Sequence, residues 1–163
     1  MEARTLHAPL DALSAANRPQ GIEIATLTTF DIPALAVLTL EAYDDAVTPE
    51  ALLETSEELR LTFEGAFGDT TEDSFVGAWD GGTLVGAILV VRESPWDDVP
   101  NGPFVVDLIV APDYRRRGIA TALVSEVASR CTHWGFDSLA LRLEARHGGA
   151  RELYSMLGFE EIA

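Results

Sequence analysis

Hydrophobic and polar positions change period in an orderly way along this chain. From Gly21, Ile22 and Ile24 alternate with Glu23, the two-residue period of a short strand. Thr28, Thr29 and Asp31 offer capping groups ahead of Pro33, and an apolar helix is predicted from there through about Tyr43, ending at Asp44 and Asp45. Thr48-Pro49-Glu50 predicts a second helix start: a hydroxyl cap, a proline in the first turn, and an acid near the positive end of the dipole. Ser74–Trp79 and Thr83–Val91 then flank Asp80-Gly81-Gly82, a turn that supplies the positive φ angles of a tight hairpin. Phe104–Val110 is apolar except at Asp107 and reads as a central buried strand. Ala120, Leu123, Val124, Val127, Ala128 and Cys131 recur at helical spacing. A strand at about Ser138–Leu143, a helix over roughly Gly149–Leu157 stopped by Gly158, and a last strand beginning at Phe159 complete the order. That order, β-α-α-β-β-β-α-β-α-β, predicts an α/β sandwich with mixed antiparallel and parallel pairing. Residues 1–20 contain Pro9 and Pro19 without a clean period, and are expected to form an irregular N-terminal arm before one domain spanning 21–163.

Composition narrows what such a domain does. The 163 residues are 47% hydrophobic, enough for a sizeable core. Eleven basic residues against 27 acidic ones leave a net charge of −16, a surface that repels nucleic acid and anionic lipid and favours cationic partners. Every basic residue is arginine, and Arg115, Arg116 and Arg117 stand together. One cysteine, Cys131, cannot form an internal disulfide, and three scattered histidines make no zinc pattern, so no metal is expected. No apolar run approaches membrane-spanning length, and the first twenty residues lack the apolar stretch of a signal peptide; a cytoplasmic protein is expected.

The arginine cluster lies where chemistry is easiest to place. In Val110-Ala111-Pro112-Asp113-Tyr114-Arg115-Arg116-Arg117-Gly118-Ile119-Ala120-Thr121 a buried strand enters a tight turn and a helix begins at the glycine. Free N–H groups at such a helix start, with its dipole, form an anion site. Arginines beside them can grip a pyrophosphate with charge-assisted hydrogen bonds, while Gly118 and Ala120 permit close approach.

This segment resembles the GNAT superfamily of N-acetyltransferases, whose signature is Arg or Gln, two residues, Gly, one residue, then Gly or Ala. Arg115-Arg116-Arg117-Gly118-Ile119-Ala120 fits it. A second stretch, Ala150-Arg151-Glu152-Leu153-Tyr154-Ser155-Met156-Leu157-Gly158-Phe159, is similar to the family's A-x-x-L-Y-x-x-x-G-F. The resemblance implies a centrally splayed mixed sheet flanked by helices and an acetyl-CoA site. It implies that the pantetheine arm pairs with Leu108, Ile109 and Val110, that the pyrophosphate rests on Arg115, Arg116, Arg117, Gly118, Ile119, Ala120 and Thr121, and that the Leu108 N–H faces the thioester oxygen. It places Tyr154 as general acid to the CoA thiolate. Where the family usually has asparagine, three residues before the second motif, this chain has His147, a candidate contact to pantetheine or a solvated loop residue.

Asp107 interrupts an apolar strand beside the expected oxyanion donor, which makes it the candidate base for the amine or a brace for nearby backbone; Glu144 is the alternative. Cys131, on the apolar face of its helix, reads as core and not as a nucleophile. Acids and an aromatic in the expected acceptor loops (Asp44, Asp45, Glu50, Trp96, Asp97, Asp98) suit a cationic amine. Three functions stay open: acetyl transfer to a small cationic amine, transfer to a protein or peptide N-terminus, and acyl-CoA sensing without turnover. A homodimer is compatible with each. The family closes with a two-stranded hairpin, whereas only Glu160-Glu161-Ile162-Ala163 follow Phe159. The final strand is therefore expected to be missing, or supplied by the N-terminal arm or a neighbouring subunit.

Overall fold

A computed structural model of the chain describes residues 4–10, 13, 19–93, 101–143 and 150–161. Among these residues seven strands form one sheet: β1 (Arg4–Pro9), β2 (Glu23–Thr26), β3 (Phe75–Asp80), β4 (Thr83–Val91), β5 (Phe104–Val110), β6 (Ser138–Leu143) and β7 (Glu160–Glu161). Four helices accompany them: α1 (Ile32–Ala42), α2 (Pro49–Phe63), α3 (Ile119–His133) and α4 (Ala150–Leu157). The spatial order is β2-β3-β4-β5-β6-β1-β7, antiparallel throughout except for the parallel β5–β6 pair.

The expected starts and stops have their physical causes in place. The Thr28 side chain accepts from Phe30 N–H while the Asp31 carboxylate accepts from Thr28 N–H at 2.8 Å, capping the turn that leads into α1. Thr48 caps α2 by accepting from Ala51 N–H at 3.1 Å, with Pro49 in the first turn. Gly81, at φ +60°, turns the β3–β4 hairpin. One sheet face packs on α1 and α2 through Leu35, Leu38, Leu59, Leu89 and Ile109. The other packs on α3 through Ile119, Leu123 and Val127, and also holds Tyr154 and Phe159. Gly86 lets α3 lie close to β4, since a Cβ there would sit 2.9 Å from Ile119 Cγ2.

The N-terminal arm is the main correction. Residues 4–9 are not an irregular lead-in; they form β1, paired along all six positions with β6 and at Leu6 and His7 with β7. Leu6 (6% exposed), Ala8 and Leu10 are buried in the same core as Tyr154. The strand expected to be missing after β7 is thus supplied by the beginning of the chain, and β7 takes the sheet edge.

Candidate active site

The site begins where two strands part. β5 pairs with β6 only at Phe104↔Ala140 and Val105↔Leu141 among the described residues. On its other side the β4 ladder skips Val106, passing from Leu89↔Asp107 to Val90↔Val105. Such a bulge bends the strand and increases its twist, and beyond it β5 runs on without β6. Ala111 N–H donates to the Val85 carbonyl at 2.8 Å, which sets the alternation along β5. The main-chain groups of Asp107 and Ile109 therefore point to β4, and those of Leu108 and Val110 point to the opened edge. Ile109, expected with Leu108 and Val110 as a pantetheine contact, is turned away, and its side chain is buried beneath α1.

At the mouth of this opening stands the start of α3. A single helical turn, Pro112–Tyr114, leads from β5 into the three arginines. Arg116 adopts φ +63° and Gly118, the residue capping α3, φ +82°. These left-handed angles reverse the chain tightly; glycine takes them without strain and arginine does so at a cost. Ile119 is buried against Gly86, while Ala120 and Thr121 stay half-exposed. The first bond of α3 runs from Ala122 N–H to Gly118 O at 3.0 Å, so the amides of residues 119–121 have no acceptor within the helix.

The three arginines diverge. Arg117 stacks its guanidinium over the Tyr114 ring at 4.8 Å, and Tyr114 donates its hydroxyl to Asp80 at 2.6 Å. Arg116 is exposed at the turn. Arg115, also exposed, turns back along the surface, its Nε donating to the Val110 carbonyl at 3.2 Å and its Nη2 to the Ala42 carbonyl at 2.6 Å.

Asp107 and Tyr154 lie on opposite faces of the sheet, Asp107 tied to the end of α1 and Tyr154 in the core shared with α3. Asp107 Oδ1 accepts a hydrogen bond from the hydroxyl of Tyr43, the residue that caps the C-terminus of α1. Tyr154 is 6% exposed, with its ring edge-on to Phe159 at 5.6 Å. Burial pushes the Tyr154 hydroxyl pKa up, and the Asp107 charge raises it further, so the phenol keeps its proton far into alkaline pH. Cys131 is fully buried and its thiol is pushed up to about 12 by burial, the state of a core residue and not of a nucleophile. Asp44, Asp45 and Glu50 are exposed in and after the α1–α2 loop. Trp96, Asp97, Asp98, Glu144 and His147 lie outside the described residues.

Sequence reasoning missed Tyr43, whose one signal was an aromatic with a polar tip ending an apolar helix beside two acids. It also assigned Arg115 by charge, whereas direction distinguishes Arg115 from its neighbours. No cluster of three or more metal-ligating side chains occurs among the described residues, and among them no helix is long and apolar enough to cross a membrane.

The chain thus presents a mixed sheet opened beside one bulged strand, with a helix N-terminus just beyond the end of that strand. The acetyltransferase (GNAT) family model matches residues 38–159, and the chain belongs to that family. No curated protein sequence matches it. Among solved structures it is similar to a GCN5-related N-acetyltransferase from Sphaerobacter thermophilus (TM-score 0.68, 24% identity), covering 98% of this chain and 48% of that one. The chain thus spans about half the length of that relative. It is also similar to the ribosomal-protein-S18-alanine N-acetyltransferase of Escherichia coli (TM-score 0.64, 20% identity, covering 87% and 79%). A third similar structure is AAC(6')-Iy in complex with a CoA-containing bisubstrate analogue (TM-score 0.63, 20% identity, covering 87% and 92%). At these identities the likeness is one of fold.

Proposed function

We propose that the chain transfers the acetyl group of acetyl-CoA to a primary amine by direct attack in a ternary complex, with a small cationic amine as acceptor. The observation that carries this reading is the edge of β5, where the main-chain groups of Leu108 and the N–H of Val110 face the opened side next to the α3 N-terminus after β6 has parted from it. An amide-bearing pantetheine arm can pair with that edge as a strand would, and its pyrophosphate then falls to the amides of residues 116–121. The positive φ of Gly118 and the charges of Arg116 and Arg117 suit that polyanion in an otherwise acidic protein.

Acetyl-CoA, when bound, supplies the activated acyl carbonyl. Leu108 N–H donates to the carbonyl oxygen and stabilises the charge that grows there as the amine attacks. Asp107, held by Tyr43, takes the proton the amine must lose, directly or through water. As the new C–N bond forms and the C–S bond breaks, Tyr154 hydrogen-bonds the departing sulfur. Asp44 and Asp45, directly after Tyr43, favour a cationic acceptor by charge.

The test is a CoA-release assay with acetyl-CoA against polyamines, aminoglycosides, amino acids and short peptides. Release is expected with a cationic small amine. Calorimetric binding of acetyl-CoA without release for any acceptor would replace transfer by sensing, and turnover confined to peptides would move the acceptor to a protein N-terminus.

A further inference from the structure

Arg115 stands apart from the anion-binding role its position suggests. Its Nε and Nη2 form one edge of the guanidinium, the edge by which arginine grips paired oxygens of a carboxylate or phosphate. Here that edge is occupied by two main-chain carbonyls, Val110 O and Ala42 O. Each acceptor ends an element: Val110 is the last residue of β5, and Ala42, 73 positions before Arg115 in sequence, is the last of α1. Carbonyls in the final turn of a helix lack an intrahelical donor and lie at the negative end of the dipole, so a cation is well placed there. The residue after Ala42 is Tyr43, which donates to Asp107 on β5. Two ties thus join the carboxyl end of α1 to β5, and one comes directly from the loop that leads into α3.

We propose that Arg115 is a positioning residue: it braces the anion-binding loop against the carboxyl end of α1, so that ordering of the loop by a bound pyrophosphate also fixes Tyr43 and, through it, Asp107. The ligand's identity rests on the acetyl-CoA reading above; the brace itself does not. The role needs a planar fork that spans two carbonyls, and a lysine ammonium cannot reproduce it. Phosphate contact then falls to Arg116, Arg117 and the α3 amides.

The experiment compares wild type, Arg115→Met, Arg115→Lys and Arg117→Ala, all confirmed folded by circular dichroism. Amide exchange is followed at Tyr43, Asp44 and Asp45, whose N–H groups bond Thr39, Glu41 and Leu40 carbonyls. Acetyl-CoA affinity is measured by calorimetry, and KM and kcat with spermidine and an alanine-initiated peptide as acceptor probes. In Arg115→Met these amides are expected to exchange at least about tenfold faster, the extra protection that acetyl-CoA confers on them in wild type is lost, and acetyl-CoA affinity stays within about threefold. The kcat falls while the acetyl-CoA KM holds, and Arg115→Lys does not restore it; Arg117→Ala does the reverse, weakening cofactor binding without loosening α1. Loss of acetyl-CoA affinity by tenfold or more in Arg115→Met, with exchange at residues 43–45 unchanged, would overturn the brace in favour of a direct phosphate contact. A wild-type chain that bound no acetyl-CoA would refute the functional reading instead, and α1 exchange in Arg115→Met would still decide for or against the brace.

Discussion

Truncating Leu6 to alanine measures whether the first residues of the chain belong to the sheet. Leu6 is 6% exposed, sits in β1 opposite Leu141 of β6 and Glu161 of β7, and belongs to the core that holds Tyr154 and Phe159. The change removes about three methylene-sized groups, and at roughly 0.8 kcal/mol each the transfer loss is about 2.4 kcal/mol. The cavity left behind brings the expected cost to about 3–4 kcal/mol, within the range of buried leucine truncations. For a domain of this size that corresponds to a fall in Tm of roughly 6–15 °C. Urea unfolding followed by tryptophan fluorescence gives the free energy directly, with Phe30→Ala as control because Phe30 is 93% exposed; its effect should stay within about 0.5 kcal/mol. A loss below about 0.5 kcal/mol for Leu6→Ala would mean that the N-terminal residues hang free of the sheet, and the strand order given above would be wrong.

Gly118→Ala should weaken acetyl-CoA binding in calorimetry by about 5- to 30-fold, because the left-handed angle costs an alanine roughly 1–2 kcal/mol while the space around its Cβ is ordinary, Pro19 Cγ lying at 3.8 Å; unchanged affinity would remove the turn from the cofactor site. Asp107→Asn should lower kcat by about 10²–10⁴, the usual worth of a general base, and most severely at lower pH, where more of the amine is protonated; a pH-independent loss would make Asp107 a brace only. Alkaline stability has a fixed sign. Cys131 and Tyr154 both carry pKa values raised by burial, so their contribution is intact below the unfolded values of about 8.5 and 10 and is lost as pH rises through the folded ones. Urea midpoints should therefore fall above about pH 9, and less steeply in Cys131→Ala than in wild type; parallel pH profiles would show that the thiol is not buried as described.

Much of the architecture was legible because local signals and tertiary demands agree. The caps at Thr28 and Thr48, the Gly81 turn, the buried run of β5 and the apolar stripe of α3 each settle their own element with neighbours close in sequence. β1 was not legible, although Leu6, Ala8 and Leu10 share the inward side. Its run is short, Pro9 ends it, and its partners β6 and β7 lie at the other end of the chain. The site divides in the same way. Strand, turn and helix start mark the proposed anion-binding loop locally, but the Tyr43–Asp107 bond joins residues 64 positions apart and the Arg115–Ala42 bond spans 73. Sequence shows that an arginine is present; only the fold shows where its donors point.

The structure also alters what Tyr154 is asked to do in the proposed reaction. An unperturbed phenol, with pKa near 10, lies close to a thiol near 8.5, and proton transfer to the leaving thiolate would be nearly balanced. Burial raises the phenol and widens that gap against a solvated thiolate. Full transfer becomes unfavourable, while a hydrogen bond to the thiolate from a group that never ionises near neutrality remains available. Hydrogen bonds to charged partners contribute about 1.5–3 kcal/mol, and at 1.36 kcal/mol per decade this is roughly 10- to 150-fold in rate. Tyr154→Phe should therefore lower kcat by that factor and leave acetyl-CoA affinity within about twofold. The kcat of wild type should show no alkaline limb near pH 10, because the hydroxyl stays protonated beyond it. A limb near pH 10 that vanishes in Tyr154→Phe would show a phenol titrating at its ordinary value, and would restore the role of general acid in place of hydrogen-bond donor.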